Sequence, residues 1–137
     1  MENKTITVQT IVHASIEKVW AYWNEPEHIT HWAFASDDWE APRAENDLRT
    51  GGTFSTRMQA KDGSAGFDFG GTYTDVKENE LIEYEFGGRH ARVEFVKVPE
   101  GVKIIETFEM EHENPEEMQR GGWQSILDNF RKYAENQ

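Results

Sequence analysis

The chain has 137 residues, enough for one domain spanning positions 1–137 with a core of its own. Its 26 acidic and 14 basic residues leave a formal charge of -12, which argues against nucleic-acid partners and anionic membrane surfaces. It has no cysteine and no apolar run long enough to insert into a membrane. Disulfides, thiolate metal sites and a cysteine nucleophile are therefore excluded, and the expectation is a cytoplasmic protein.

After the polar start Met1–Asn3, residues 5–13 alternate and predict a first strand. Ser15 suits a helix N-cap, and Ile16, Val19, Trp20 and Trp23 follow at helical spacing. Pro26 opens a second short helix reaching Trp32. A polar stretch then holds one short edge strand around Asp38–Pro42. Strand patterns follow at 52–60, 66–76, 81–86, 91–98 and 102–111, joined by hairpin-sized turns. Asn114, Pro115 and Glu117 predict the N-cap, first residue and capping-box partner of a long final helix. Its apolar stripe is Trp123, Ile126, Leu127, Phe130, Tyr133 and Ala134.

Eight of the eleven glycines form four pairs. Gly70-Gly71 inside a strand predicts a bulge or sharp bend. Gly121-Gly122 inside the long helix costs about 1 kcal/mol per glycine relative to alanine. Close passage over the sheet is the favoured reason, and a bend that admits a ligand is the other.

Five segments in order carry a family resemblance. Ala14-Ser15-Ile16-Glu17-Lys18-Val19-Trp20 resembles a "P-x-x-x-V-W" opening, without its usual proline. Residues 25–32 resemble "d-P-e-h-l-x-x-W", and residues 47–54 resemble "d-l-R-x-G-G-x-f". Gly71-Thr72-Tyr73-Thr74-Asp75-Val76 and the closing Gly122–Tyr133 complete the pattern. The chain thus resembles bacterial stand-alone domains named after the activator of the heat-shock-protein-90 ATPase. These belong to the START-like, or SRPBCC, superfamily, with the birch pollen allergen and the polyketide cyclases. The resemblance implies an α+β helix-grip fold: a curved antiparallel sheet of six or seven strands, two short helices, and a long C-terminal helix over a cavity. It implies apolar ligands such as lipids or polyketides, and no particular reaction. The eukaryotic co-chaperone role depends on a further domain and is not carried over.

The aromatic content, 12% of the chain, suits a pocket wall as well as a plain core. The five tryptophans fall on elements that such a fold gathers around one end of the cavity. The lining candidates are Trp32, Phe54, Met58, Phe69, Tyr73, Phe108, Trp123, Leu127 and Phe130. His28 and His31 have a spacing that can share a metal, but nothing fixes a further ligand such as His112, and no metal or cofactor is assigned. Glu106 shares a strand face with Ile104, Phe108 and Met110. On a core face its pKa would rise, and it could serve as general acid or base, with Tyr73 or Tyr84 donating a hydrogen bond. The alternative, which is favoured, pairs it across the sheet with Arg57, Arg89 or Arg92.

Three functions compete. The leading one is binding of a small apolar or amphipathic molecule. The others are a cyclase, dehydratase or hydrolase built on a cavity carboxylate, and a protein-interaction or chaperone-accessory domain. A tryptophan-rich edge would suit a homodimer.

Overall fold

The computed structural model describes residues 4–137, so Met1–Asn3 lie outside the described residues. The first strand, β1 (Thr5–Val12), places Ile6, Val8 and Val12 on one face and Thr5, Thr7 and Gln9 on the other. Two short helices follow, α1 (Ile16–Asn24) and α2 (Pro26–Ile29). Ser15 caps α1, its hydroxyl accepting from the Lys18 N–H. α2 is shorter than expected: after Ile29 the chain reaches Trp32 and Ala33 in turns.

The remaining strands are β2 (Trp39–Asn46), β3 (Thr53–Ala60), β4 (Gly66–Lys77), β5 (Leu81–Phe86), β6 (Arg89–Val98) and β7 (Gly101–Glu109). α3 (Glu116–Glu135) closes the chain. All seven strands form one antiparallel sheet in the order β1-β7-β6-β5-β4-β3-β2. The sheet curls into a half-barrel, the helix-grip architecture. β2 runs past the expected end at Pro42. Its register shifts between Glu40 and Arg43, a bulge that accommodates the proline's missing N–H on an edge strand.

β4 runs unusually close to its neighbours at Gly71. A Cβ on Gly71 would stand 2.3 Å from the Glu85 carbonyl oxygen and 3.2 Å from the Phe54 ring, so only glycine allows the strands this close. Two residues later the β4–β5 register slips between Tyr73 and Asp75. The β3–β4 register runs through Gly70-Gly71 without a break, so the irregularity expected at the pair lies instead at Tyr73–Asp75.

α3 lies along β1. Gln124 Nε2 donates to the Gln9 carbonyl, and the His13 N–H donates to Glu135. Leu127, Phe130 and Ala134 are the buried apolar residues of its stripe. Trp123, Ile126 and Tyr133 are half-buried beside them. The helix starts differently from the expectation. Pro115 is the N-cap, and it has no side chain with which to cap. Asn114 instead bonds the Glu111 carboxylate through both its N–H and its amide, and Glu117 pairs with Arg120. The connection is held by Gln119, which accepts from the Glu111 N–H and donates to the carbonyls of Glu111 and Asn114. The favoured reason for Gly121-Gly122 fails, because a Cβ at either position would meet nothing within 4 Å.

Candidate functional site

The concave face of the sheet does not close onto the helices. A cavity of about 470 Å³ remains, partly open to solvent. This lies within the size of pockets that hold small molecules, about 300–1,000 Å³. Each wall follows from strand alternation or helical spacing.

Trp23 of α1, with Ile29 of α2 and with Trp32 and Ala33 just after it, forms one end. The Trp23 and Trp32 rings each lie 4.9 Å from Phe130, whose complete burial anchors that end. Trp32 is further fixed by its indole N–H, which donates to the Tyr22 carbonyl at 3.0 Å. Asn129 of α3 donates to the Trp32 carbonyl. Trp123 and Ile126 of α3 form the roof. Trp123 is seated by stacking on Phe108, with ring centroids 3.8 Å apart and planes 10° from parallel, and its edge reaches Phe69 and Phe86. The floor comes from β3, β4 and β5: Phe54, Thr56, Met58, Phe69, Tyr73, Ile82 and Tyr84. Phe54 packs 5.1 Å from Tyr73 and 5.0 Å from Tyr84. Phe67, half exposed, with Glu45, Glu111 and Asn114, stands at the solvent side.

Of the nine lining candidates, Trp32, Phe54, Met58, Phe69, Tyr73 and Trp123 border the cavity. Phe108, Leu127 and Phe130 do not: each is fully buried behind the wall it supports. Among the tryptophans, Trp23, Trp32 and Trp123 reach the cavity. Trp20 packs on Phe95 in the core, and Trp39 packs on Phe67 near the sheet edge. The lining also includes Tyr84 and Ile82, which the candidate list omitted. The alternation Ile82, Tyr84, Phe86 is the signal that would have found them.

Polar groups at the cavity are few. The Tyr73 hydroxyl donates to Asn46 Oδ1 at 2.5 Å, and the Asn46 amide donates to the Asn24 carbonyl. Burial raises the Tyr73 pKa. Glu106 lies on the core face. It sits between Val8 of β1 and Val93 of β6, with Ile104 and Phe108 at the adjacent inward positions of β7, and is 7% exposed. The expected arginine partner is absent. Arg57 bonds Gln59 and pairs with Asp68, and Arg92 pairs with Glu83 and Glu94. Arg89 donates to the Glu109 carbonyl and covers the Phe86 ring. Among the described residues nothing hydrogen-bonds the Glu106 carboxyl. Burial alone raises its pKa from 4.5 to about 8, so at neutral pH it is un-ionised. Tyr84 is also held well above its usual pKa, by burial first and by Glu106 second.

The histidines lie elsewhere. His28 Nδ1 shares a 2.6 Å hydrogen bond with the Tyr133 hydroxyl, and His31 stacks on the same ring. Among the described residues, Glu25, Glu27 and His28 approach one another closely enough to share an ion. The two glutamates are exposed, and neither His31 nor His112 joins them.

The chain has relatives. The family model described as "Activator of Hsp90 ATPase homolog 1-like protein" matches residues 13–135. The AHSA1-like protein of Aeromonas hydrophila is 41% identical, with a TM-score of 0.92 over 97% of this chain and 93% of that one. Chr148 of Cytophaga hutchinsonii is 52% identical, with a TM-score of 0.80 over 98% of this chain and 92% of that one. Protein CV1439 of Chromobacterium violaceum, at 22% identity and a TM-score of 0.86 over 96% and 98% of the two chains, shares the fold. No functionally curated protein matches the chain.

Proposed function

This chain belongs to the Activator of Hsp90 ATPase homolog 1-like family of the START-like superfamily. On that footing we propose that it binds a small apolar or amphipathic molecule, lipid- or polyketide-like, between sheet and helix. The observation that carries this reading is the cavity of about 470 Å³, walled by aromatic rings of which Trp23 and Trp32 are backed by Phe130 and Trp123 by Phe108. Rigid aromatic walls offer apolar contact without ordering costs at the moment of binding. The lack of cysteine suits work in a reducing cytoplasm. Among the described residues no helix is long and apolar enough to cross a membrane.

Native mass spectrometry of the freshly purified protein, followed by solvent extraction, is the direct test. A co-purifying small molecule that is lost when Thr56→Trp fills the floor supports the reading. An apo mass, together with no binding of an apolar fluorophore, overturns it.

A further inference from the structure

Glu106 is buried among four aliphatic or aromatic neighbours, yet among the described residues no side chain or backbone group partners it. No buried side-chain oxygen or nitrogen is both sealed from solvent and unpaired among the described residues, so its oxygens open onto the cavity that it lines. Tyr84 is in the same condition. It is 6% exposed, lines the same cavity, and its hydroxyl has no hydrogen bond among the described residues. Between their strands runs β6, whose Ala91 and Val93 are the inward residues opposite Tyr84 and Glu106. The two side chains are therefore diagonal to one another across β6, two residues out of register.

The other titratable or charged groups at this cavity are already occupied or lie towards solvent. Tyr73 is bonded to Asn46, Arg89 to the Glu109 carbonyl, and Glu111 to Asn114; Glu45 is exposed. β1 brings Val8 and β6 brings Val93 against Glu106, neither charged, and α3 adds Trp123 and Ile126 to the wall. A carboxyl in such surroundings is stable as the neutral acid, whose O–H is a hydrogen-bond donor. Apolar sites are known to hold a carboxylic acid neutral so that it can donate, beside a tyrosine, to a carbonyl oxygen.

We propose that Glu106, as the neutral acid, donates a hydrogen bond to a carbonyl oxygen of the bound molecule, with the Tyr84 hydroxyl as a second donor. The ligand class is then an apolar molecule carrying a ketone or ester carbonyl. This deepens the proposed function and rests on it. A cationic amine is the competing chemistry, since aromatic walls and a carboxylate would suit it. It would have to ionise a carboxyl that nothing in the cavity compensates, and no other anion is as deeply buried there.

The test is a calorimetric titration of the unmodified protein with three probes of matched shape: benzophenone, diphenylmethane and benzhydrylamine. At pH 7 benzophenone is expected to bind roughly 3–10-fold more tightly than diphenylmethane for each hydrogen bond made. That preference should fall to the share carried by Tyr84 as the pH rises through about 8, where Glu106 ionises. Glu106→Gln keeps an N–H donor, so it should retain the preference and lose its pH dependence. Glu106→Leu should abolish most of it, and Tyr84→Phe part of it. Equal binding of benzophenone and diphenylmethane overturns the carbonyl proposal while leaving the cavity reading intact. Preference for benzhydrylamine, strengthening as Glu106 ionises, overturns it in favour of an amine site. Binding of none of the three overturns both. The comparison of probes and pH in the unmodified protein decides the matter even if a variant fails to fold.

Discussion

Replacing Glu106 with glutamine should remove a component of stability that falls as pH rises. In the unfolded chain the carboxyl ionises near 4.5, and in the folded protein near 8. The folded state therefore holds a proton that the unfolded state has released throughout that interval, and stability drops across it. Each pH unit corresponds to about 1.4 kcal/mol, so the loss is about 3 kcal/mol by pH 7 and on the order of 5 kcal/mol above pH 8. Against a total of about 5–15 kcal/mol for an ordinary domain, that is a large share. The assay is urea denaturation of the wild type and Glu106→Gln at half-unit steps from pH 4 to pH 9. The other carboxylates and histidines cancel in the difference between the two curves. That difference should be flat near pH 4, rise by about 1.4 kcal/mol per unit between pH 5 and pH 8, and level off beyond. Its absolute level reflects how the glutamine amide is accommodated and carries no weight. A difference that levels off by pH 5.5 would refute the reasoning, because Glu106 would then be ionising as though hydrated or paired.

Gly121→Ala and Gly122→Ala should each stabilise the protein by about 1 kcal/mol in urea denaturation, since the added methyl meets nothing within 4 Å. A loss of stability would show that the helix needs its flexibility in the folded state. Gly71→Ala should destabilise by about 1–3 kcal/mol or prevent folding, measured the same way, because its Cβ would strike the Glu85 backbone. Phe108→Ala should cost about 3–5 kcal/mol and shift the fluorescence of Trp123, which loses its stacking partner; an unchanged emission maximum would contradict that packing. Gln119→Ala should cost about 1–3 kcal/mol in thermal or urea denaturation by leaving the connection before α3 unpaired, and no effect would mean that water replaces it.

Most elements were legible because the sheet has one buried face. Period-two alternation in β7 and a 3.6-residue stripe in α3 reported that face directly. Depth within the curled sheet was not legible. Alternation places Phe108 on the same face as Glu106, but only the three-dimensional curl puts Trp123 over Phe108 and leaves Glu106 facing open space. The arginine partners failed for a similar reason. Arg57 and Arg92 lie on the outward face, where acids on that face pair with them, so proximity in register gave them no route to Glu106. Asn114 had the right chemistry for a cap, but Glu111, three residues earlier, competes for its amide and N–H. Pro42 marked an apparent strand end because a bulge cannot be read from composition.

The order of strands has a kinetic consequence. β2 to β7 form a meander in which every pairing joins neighbours along the chain, whereas β1 pairs with β7 across nearly the whole sequence. Closing that long loop is entropically the most demanding pairing in the protein, so we expect β1 to dock after the meander has formed. Val8 of β1 is one of the residues that shield Glu106 from water. Dehydration of the carboxyl would then be completed after the folding barrier has been crossed. Raising the pH from 6 to 9 should therefore speed unfolding by roughly two orders of magnitude while leaving the refolding rate nearly unchanged. Stopped-flow chevrons at the two pH values would read this. A refolding limb that slows as much as the unfolding limb quickens would place β1 in the folding nucleus instead.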